Sequence, residues 1–423
     1  MFLMKEYRLR PIAEESVQAS LVGYPILLQN LLSSRGITTR EDAEKFFNPH
    51  YQNDLHDPYL LKDMDKAVDR ILVAIKNKER ILIYSDYDAD GIPGGVMMRE
   101  FFDRIGYGNV ENYIPHRHDE GYGLHLEAVE TFPEKEIRLL ITIDCGIVDI
   151  ESVARANALG MDVIITDHHE PGGSLPEAYA IVNPKREDCD YPEKILCGTG
   201  VAFKLIQAIL EKNCFDLALG QEKWFLDLVG IATLSDMVPL VGENRALAYF
   251  GLKVLQKSPR PGLQQLWKKL KVNQRNIVED DIGFSLAPRV NAASRMGKPM
   301  DGFKLLYTKD LNEGIESALH LDKINDERKG VVAGIVKDLR KRIKEKELVG
   351  ELPSVLVFGN PEWKPSLLGL AGNALLDDIR RPIFLWGRNG DTQLKGSCRS
   401  DGSVNLILLM EKAKESFAQF WRT

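Results

Sequence analysis

Three short apolar runs, each ending in an acidic residue, set the strongest limit on how this chain can fold. ILIYSD ends at Asp86, LLITID ends at Asp144 and VIITD ends at Asp167. Stretches with helical periodicity near 95–105 and 148–159 lie between them, which predicts a βαβαβ order and a parallel sheet covered by helices. Because the carboxyl ends of parallel strands share one edge of the sheet, we expect the three acidic residues to lie close together.

The composition is that of a globular protein with two or three domains. The chain has 423 residues, of which 44% are hydrophobic and 28% are charged, and no uncharged apolar stretch approaches the roughly 20 residues of a membrane helix. Five cysteines without a C-x-x-C pair indicate neither a disulfide framework nor a structural zinc site, so we expect a cytoplasmic protein. The net charge of −7 excludes a uniformly basic surface but allows a local basic groove.

The periodicity then divides the chain into segments. The sequence following Pro353 repeats an α/β pattern, with predicted strands at 354–359, 382–386 and near 392–397 and a helix at 367–379. A long helical stretch that ends in dense Lys and Arg precedes this pattern and joins the two parts. We therefore expect an α/β protein with an N-terminal segment packed on a parallel-sheet catalytic domain, a connecting helix and a smaller α/β domain, at residues 1–79, 80–310, 311–350 and 351–423.

The first acidic motif, SDYDADG, places Asp86, Asp88 and Asp90 at alternate positions before Gly91. At a strand end that turns through glycine, these carboxylates can fan around a cation. By itself the motif is equally typical of a solvated acidic turn. A calcium loop is a further alternative, although the glutamate of an EF-hand is missing from its twelfth position.

The other strand ends favour a metal site. Asp144 directly follows the second apolar run, and Asp167, His168 and His169 directly follow the third, while Asp236 comes after a helical run in ATLSDMVPL. Carboxylates with two imidazoles suit Mn²⁺ or Mg²⁺ better than zinc, and their number indicates two ions. A pair of such ions catalyses in-line displacement at phosphorus, so the pattern predicts hydrolysis of a phosphoester.

In order, these motifs resemble the four motifs of the DHH phosphoesterase family. The similarity is greatest to the RecJ branch, whose members are exonucleases specific for single-stranded DNA, and it extends from about residue 30 to about 420. Besides the shared motifs, the segments that carry it are RGITTREDAEKFFNP (35–49), IPHRHDEGYGL (114–124), CGTGVAFKL (197–205), GIATLSDMVPLVGENR (230–245), GFSLAPRVNAASR (283–295), EWKPSLLGLAGNALLDDIRRP (362–382) and GSCRS (396–400).

The resemblance implies a role for each acidic and imidazole residue. His169 would position the scissile phosphate or stabilise its charge, Asp167 would orient a ligand histidine, and Asp86 would lie in or beside the ligand shell. The residues implied as ligands of the two ions are Asp88, Asp90, Asp144, His168 and Asp236.

The resemblance also implies contacts to substrate. An Arg and Asn cluster supplies donors that phosphate oxygens accept, with salt bridges at a domain seam as its alternative. The C-terminal part resembles the DHHA1 domain, which binds substrate in this family, and Tyr122 and Trp363 are candidates for stacking on bases. The implied substrate-binding residues are Arg289, Asn291, Arg295, Ser397, Arg399 and Ser400.

Three positions and the ending of the chain depart from the family pattern. Pro93 replaces an expected hydroxyl residue, Cys398 replaces a glycine, and Ala374 replaces a residue that is often basic. The ending Trp421-Arg422-Thr423 stands where relatives have a glycine-glycine-histidine segment and then an OB-fold. We therefore expect a frameshifted or truncated chain that lacks the OB-fold.

The resulting functional hypothesis is a two-metal 5′ to 3′ exonuclease that releases mononucleotides from single-stranded DNA in DNA repair and recombination. The resemblance implies a monomer without a membrane, with single-strand-binding protein and a helicase as candidate partners. One alternative is a DHH phosphodiesterase of short oligonucleotides or cyclic dinucleotides. Another is an inactive DNA-binding scaffold, which the complete set of ligand residues argues against.

Overall fold

The computed structural model describes residues 9–388 and 393–417. Their contacts form two compact units. Unit one comprises the described residues up to Ile114, Tyr122–Arg260 and Leu270–Ala287, and unit two comprises Pro115–Gly121, Pro261–Lys269 and the described residues from Pro288 onward. The interpretation of the ending Trp421-Arg422-Thr423 falls on residues 418–423, which lie outside the described part of the chain.

Unit one is built on a five-stranded parallel sheet, which confirms the predicted α/β class. Its strands stand in the order β2-β1-β3-β4-β5, and each neighbouring pair is parallel. The strands are β1 (Arg80–Ser85), β2 (Val110–Tyr113), β3 (Ile137–Ile143), β4 (Asp162–Thr166) and β5 (Ala180–Val182).

Helices cover this sheet, and further helices of unit one precede and follow the strands in the sequence. They are α1 (Glu15–Ser20), α2 (Ile26–Ser33), α3 (Arg40–Phe47), α4 (Met64–Asn77), α5 (Gly91–Arg104), α6 (Leu126–Thr131), α7 (Ile150–Ala158), α8 (Gly198–Lys212), α9 (Leu226–Ser235) and α10 (Gly242–Leu255). Short 3₁₀ turns lie at Pro58–Leu60, Phe132–Lys135, Gln221–Phe225 and Gln274–Asn276, and a π-helical turn lies at Asp281–Leu286.

Burial explains why the three central strands are continuous apolar runs. Ile81–Ser85 in β1 and Leu139–Ile143 in β3 are buried without alternation, as expected for a parallel sheet with both faces covered. The three strands predicted from the sequence are therefore confirmed. The short strands β2 and β5 were not predicted, because VENY carries a single aliphatic residue and AIV is too short to show a period.

Unit two contains a second, smaller sheet in the order β6-β7-β8. β6 and β7 are parallel, whereas β7 and β8 are antiparallel. The strands are β6 (Leu356–Gly359), β7 (Ile383–Gly387) and β8 (Lys395–Arg399), and the helices are α11 (Pro261–Leu270), α12 (Ala287–Met296), α13 (Met300–Tyr307), α14 (Leu311–Val349), α15 (Pro365–Ile379) and α16 (Leu406–Lys412), followed by a 3₁₀ turn at Lys414–Ser416. This confirms the predicted second α/β pattern.

The long predicted helix is confirmed as α14, which has 39 residues and spans about 58 Å at 1.5 Å per residue. The Asp310 side chain caps its first turn by accepting the Glu313 N–H at 2.9 Å. Near its end, Ile335, Leu339 and Ile343 recur at helical spacing and pack into the core formed with β6, β7 and α15. The helix therefore contributes one wall of the smaller domain.

The contacts divide the chain differently from the sequence-based domain boundaries. They place α12 and α13 in unit two, whereas the sequence analysis assigned residues up to 310 to the catalytic domain. They also group α14 with the smaller sheet rather than leaving it as a separate connector. The boundaries at 79, 310 and 350 stay predictions.

None of the helices in the described ranges is both long enough and apolar enough to cross a membrane.

A fully buried ion pair ties the segment before β1 to the helices that follow the sheet. Lys204 in α8 and Glu243 in α10 form a salt bridge with neither side chain exposed. Lys204 also donates to the His56 carbonyl at 2.8 Å, and Tyr191 donates to Glu243 at 2.6 Å. Each charge is therefore compensated where water cannot reach it.

We predict that Lys204→Met destabilises the protein by about 3–5 kcal/mol, because it leaves the Glu243 carboxylate buried without a cation. The measurement is the shift in the midpoint of chemical denaturation followed by circular dichroism. Lys212→Met is the control, since its pair with Asp69 lies on the surface of the same helix and should change the midpoint little. Equal shifts for the two variants would contradict the importance of the buried pair.

Candidate metal centre

The register of three strands places the acidic strand ends side by side. Ser85, Ile143 and Thr166 are paired across β1, β3 and β4. The ladder continues one residue further, because Asp86 N–H donates to the Ile143 carbonyl at 3.1 Å and Asp144 N–H donates to the Thr166 carbonyl at 2.9 Å. The predicted convergence at one edge of the sheet is therefore present.

Asp144 occupies the middle of this edge in a left-handed backbone conformation, with φ of 62°. Aspartate tolerates this region better than most residues, although it stores some strain. The residue is only 2% exposed. The turn therefore holds a carboxylate in a buried position beside the ends of β1 and β4.

Three overlapping groups of side chains place possible ligand atoms within 4.8 Å of one another. Asp144 and His168 each belong to two of the groups, so they link the whole cluster. The groups are Asp144 with His168 and His169, Asp90 with His168 and Asp236, and Asp86 with Asp88 and Asp144. Every predicted ligand residue is thus brought together in unit one.

His168 stands between three carboxylates. Its Nε2 lies 3.1 Å from Asp144 Oδ1 and 3.7 Å from Asp90 Oδ2, and its Nδ1 lies 3.8 Å from Asp236 Oδ2. Burial lowers the pKa of the imidazole, opposed by the charge of Asp90. The ring is therefore disposed to be neutral and to offer a lone pair, as a metal ligand requires.

The donor set fits a divalent cation. Asp144 Oδ1 is buried and accepts no hydrogen bond from the described residues. Burial, followed by the charges of Asp90 and Asp88, raises the pKa of the Asp144 carboxyl well above its ordinary value, and burial with the same two neighbours raises the pKa of Asp236 to about 8. Clustered buried carboxylates repel one another unless a cation compensates them, and carboxylate oxygens with imidazole nitrogen suit Mn²⁺ or Mg²⁺.

Two of the carboxylates are oriented by backbone amides. Asp90 accepts the Gly198 N–H at 2.6 Å and the Thr199 N–H at 2.8 Å, so its charge lies at the N-terminus of α8, where the helix dipole favours an anion. Asp88 Oδ1 accepts the N–H groups of Asp90 and Gly91 at 2.8 and 3.2 Å. Both side chains are therefore fixed before any ion binds.

Asp167 has a different role from the other carboxylates. Its Oδ2 accepts the Ile147 N–H at 3.0 Å, and its Oδ1 accepts the backbone N–H groups of His168 and His169 at 2.7 and 3.1 Å. Oδ1 also lies 2.8 Å from His169 Nδ1. With its oxygens engaged in this way, Asp167 orients His169 and is not part of the three ligand groups.

Two side chains, Asp167 and Tyr122, contact Nδ1 of His169. Burial disfavours its charged form, but the hydrogen bond and charge of Asp167 outweigh burial and raise the pKa of the imidazole to about 9. Nδ1–H therefore donates to Asp167, and the Tyr122 hydroxyl, 2.9 Å from Nδ1, can donate to the Asp144 carbonyl at 3.2 Å. This contact gives Tyr122 a positioning role that sequence reasoning missed, and its suggested stacking on bases stays a prediction.

The cysteine and glycine residues before α8 were also missed as contributors to the site. The Cys197 side chain caps the helix by accepting the Gly200 N–H, and Gly198 lets the helix approach Asp144, since a Cβ at that position would lie 2.5 Å from Asp144 Oδ1. A signal was available in CGTG, which is a glycine-rich start of an apolar helix and typical of close backbone approach.

The predicted substrate-binding arginines at 289 and 295 lie in unit two, where each is engaged within that unit. Arg289 donates to Asp322 Oδ1 through Nε at 3.0 Å and Nη2 at 2.8 Å. Arg295 donates to the Ser366 carbonyl at 2.6 Å, and the Ser366 hydroxyl donates back to the Arg295 carbonyl at 3.0 Å. Asn291, on the same helix, is partly exposed.

The predicted contacts of the C-terminal segment lie on β8 and just after it. Ser397 and Arg399 belong to the strand, and Ser400 accepts the Gly402 N–H at 3.3 Å in the following turn. The Arg399 side chain packs against Gly369 on α15, where an added Cβ would lie 2.5 Å from the Arg399 Nη2. Trp363 is buried in the core of unit two, which does not support stacking on bases.

Known proteins with similar sequences identify the family of this chain. The model of the DHH family, N-terminal domain, matches residues 80–233. RecJ of Salmonella typhimurium, a single-stranded-DNA-specific exonuclease, is 34% identical over 400 residues, which are 92% of this chain and 68% of that protein. The chain belongs to the RecJ family.

Other members extend the comparison. RecJ of Bacillus subtilis is 36% identical over 395 residues, which are 93% of this chain but only 49% of that protein. The chain therefore spans about half the length of the Bacillus relative. The structure of Thermus thermophilus RecJ in complex with Mn²⁺ matches with a TM-score of 0.78 at 27% identity, covering 96% of this chain and 56% of that one. The same RecJ in complex with Mg²⁺ matches with a TM-score of 0.71 at 25% identity, covering 96% of this chain and 53% of that one.

We predict that Gly198→Ala weakens Mn²⁺ binding at least tenfold, because the added methyl group would displace Asp144 or the start of α8. Isothermal titration of the metal-free protein with Mn²⁺ measures the affinity. Gly200→Ala is a matched control in the same helical turn, where the nearest atom to the new Cβ is Cys197 Sγ at 3.4 Å. Unchanged Mn²⁺ affinity in Gly198→Ala would show that this close approach does not shape the site.

Proposed function

We propose that this chain is a metal-dependent hydrolase that cleaves phosphodiester bonds in single-stranded DNA from its 5′ end and releases mononucleotides. The observation that carries the proposal is the buried Asp144 Oδ1, which accepts no hydrogen bond from the described residues and faces His168 Nε2 at 3.1 Å. Two groups that both offer lone pairs at this distance call for a cation between them. The names and metal complexes of the RecJ relatives support the same reaction.

The residues proposed to hold two Mn²⁺ or Mg²⁺ ions are those that the sequence indicated. Asp144 and His168 take part in two ligand groups each, which makes them the candidates for contact with both ions. When bound, two such ions activate water and neutralise the charge that develops on a phosphodiester during in-line displacement. The proposed ligands are Asp88, Asp90, Asp144, His168 and Asp236, with Asp86 beside them.

The neighbouring residues are proposed to act on the substrate phosphate. His169 keeps a proton on Nδ1 that it donates to Asp167. The proposed role of this imidazole, which Asp167 and Tyr122 hold in place, is to position the scissile phosphate or to stabilise its increasing charge. Burial and four N–H donors keep Asp167 in place for this task.

Unit two is proposed to bind the strand. Its candidate donors are partly exposed at Ser397, Arg399 and Ser400, and Asn291 and Arg295 on α12 are further candidates. The wider assignments follow from the family resemblance: a catalytic domain at 80–310, a DHHA1-like domain at 351–423, a monomer in the cytoplasm, and a role in DNA repair and recombination beside single-strand-binding protein and a helicase.

The test is an exonuclease assay on DNA labelled at either end, with duplex DNA and a dinucleotide as parallel substrates in Mn²⁺ or Mg²⁺. We expect early release of a labelled mononucleotide from the 5′ end of single strands only. Cleavage of the dinucleotide alone would instead identify a phosphodiesterase of short substrates. Absence of cleavage from every substrate would contradict the proposed activity.

We further predict that Asp144→Asn abolishes nucleotide release while the circular dichroism spectrum stays unchanged, because the substitution removes a charge shared by two ligand groups. Asp149→Asn is the control. Asp149 lies in the same loop, accepts the Leu124 N–H at 2.6 Å and belongs to none of the ligand groups among the described residues. Similar residual activities in the two variants would argue against Asp144 as a metal ligand.

A further inference from the structure

A second imbalance of charge lies in unit two, where α11, α12 and α14 meet. Arg289 on α12 pairs with Asp322 on α14, and Lys269 on α11 lies 3.6 Å from the other oxygen of Asp322. One turn and a half further along α14, Arg328 donates to the Asn325 side-chain oxygen through Nε at 3.2 Å and Nη2 at 3.0 Å. We call these five residues the three-helix cluster.

The cluster contains more positive than negative charge. Three cations, Lys269, Arg289 and Arg328, stand against the single carboxylate of Asp322. No salt bridge joins Arg328 to a carboxylate among residues 9–388 and 393–417, and its acceptor is the neutral amide of Asn325. A half-buried guanidinium ordinarily has an anionic partner, because desolvation of a charge is otherwise costly.

Two further observations describe the surroundings of Arg328, whose described partner is the neutral side chain of Asn325. Burial lowers the pKa of Arg328, and the charge of Arg289 lowers it further, with no carboxylate acting in the opposite direction. In addition, Asn325 is fully buried and its Nδ2 donates to no acceptor among the described residues. The cluster thus carries more forked cationic donors than carboxylates, an excess that suits the oxygens of a phosphate group.

We propose that the three-helix cluster binds a phosphate group of the single-stranded substrate, with Arg328 as its main unpaired cation and Arg289 and Lys269 beside it. This inference rests on the proposed function for the identity of the strand. It adds Arg328 and Lys269 to the candidate contacts beside Arg289, and it makes the buried Asn325 the residue that holds Arg328 in position. Asp322 holds Arg289 in place and limits the excess charge to a level that one or two phosphate charges neutralise.

The proposal makes a prediction that separates binding from structure. If Arg328 is retained for an anion, Arg328→Gln removes a repulsive charge and does not lower the melting temperature of the protein without ligand. If the two hydrogen bonds to Asn325 outweigh this repulsion, Arg328 is structural and the same variant melts at a lower temperature. Thermal unfolding in EDTA measures this difference independently of catalysis.

Binding is measured in the same metal-free buffer by fluorescence anisotropy with a labelled twelve-residue oligothymidylate. We expect Arg328→Gln to weaken the affinity about tenfold, which is typical of one charge-assisted contact, and to reduce the salt slope by about 0.7, the value for one phosphate of a single strand. Arg328→Lys should restore part of the affinity. Arg340→Gln is the matched control, since Arg340 is an exposed cation of the same helix paired with Asp378 and should leave the affinity unchanged.

Inorganic phosphate at constant ionic strength distinguishes the two sources of the group. Protection by phosphate that Arg328→Gln abolishes, with unchanged affinity for the oligonucleotide, would assign the cluster to free phosphate and overturn the strand assignment. An Arg328→Gln protein that melts lower and binds the oligonucleotide as tightly as the wild type would overturn the site altogether. Because neither measurement requires hydrolysis, both can fail while the exonuclease assay succeeds.

Discussion

Repulsion between buried carboxylates is the interaction around which unit one is arranged. The level register of β1, β3 and β4 brings Asp86, Asp144 and Asp167 to one edge of the sheet, where burial raises the free energy of each charge. The fold compensates two of the charges by itself, since α8 offers amides to Asp90 and four N–H groups surround Asp167. Oδ1 of Asp144 accepts no hydrogen bond from the described residues, and its uncompensated charge calls for a cation.

The compensation also explains why elements distant in sequence must pack tightly here. Asp90 stands at the end of the first motif, yet its partners Gly198 and Thr199 follow more than a hundred residues later. The N–H groups at a helix N-terminus can bind a carboxylate only at hydrogen-bond distance. This close approach requires glycine at position 198, because a side chain there would collide with Asp144. The buried pair of Lys204 and Glu243 holds the same helix to α10, so the position of the site depends on the packing of α8.

The sequence was sufficient for the parts of the fold and site that depend on local pattern. The buried strands and the long helix are recognisable from their hydrophobic patterns, and the predicted ligand residues are recognisable from their motifs. The acidic strand ends at Asp86, Asp144 and Asp167 could be placed together because the carboxyl ends of parallel strands share one edge of the sheet. The sequence could not show that Arg289 pairs with Asp322 or that Tyr122 contacts His169. Those contacts depend on tertiary packing between elements that no local period relates, and the same motif letters would be present whether an arginine bound phosphate or a carboxylate.

The whole-chain charge of −7 conceals two opposite imbalances. Unit one buries an excess of carboxylates around His168, whereas in unit two Lys269 and Arg289 share the carboxylate of Asp322 and Arg328 donates to the neutral side chain of Asn325. Either excess could have been removed by pairing within its own unit, as the surface pairs of α14 are. A fold that instead keeps both excesses partly buried stores unfavourable electrostatic energy that only ligands of opposite charge relieve. The proposed divalent cations would compensate the first excess, and the proposed phosphate contact would compensate the second.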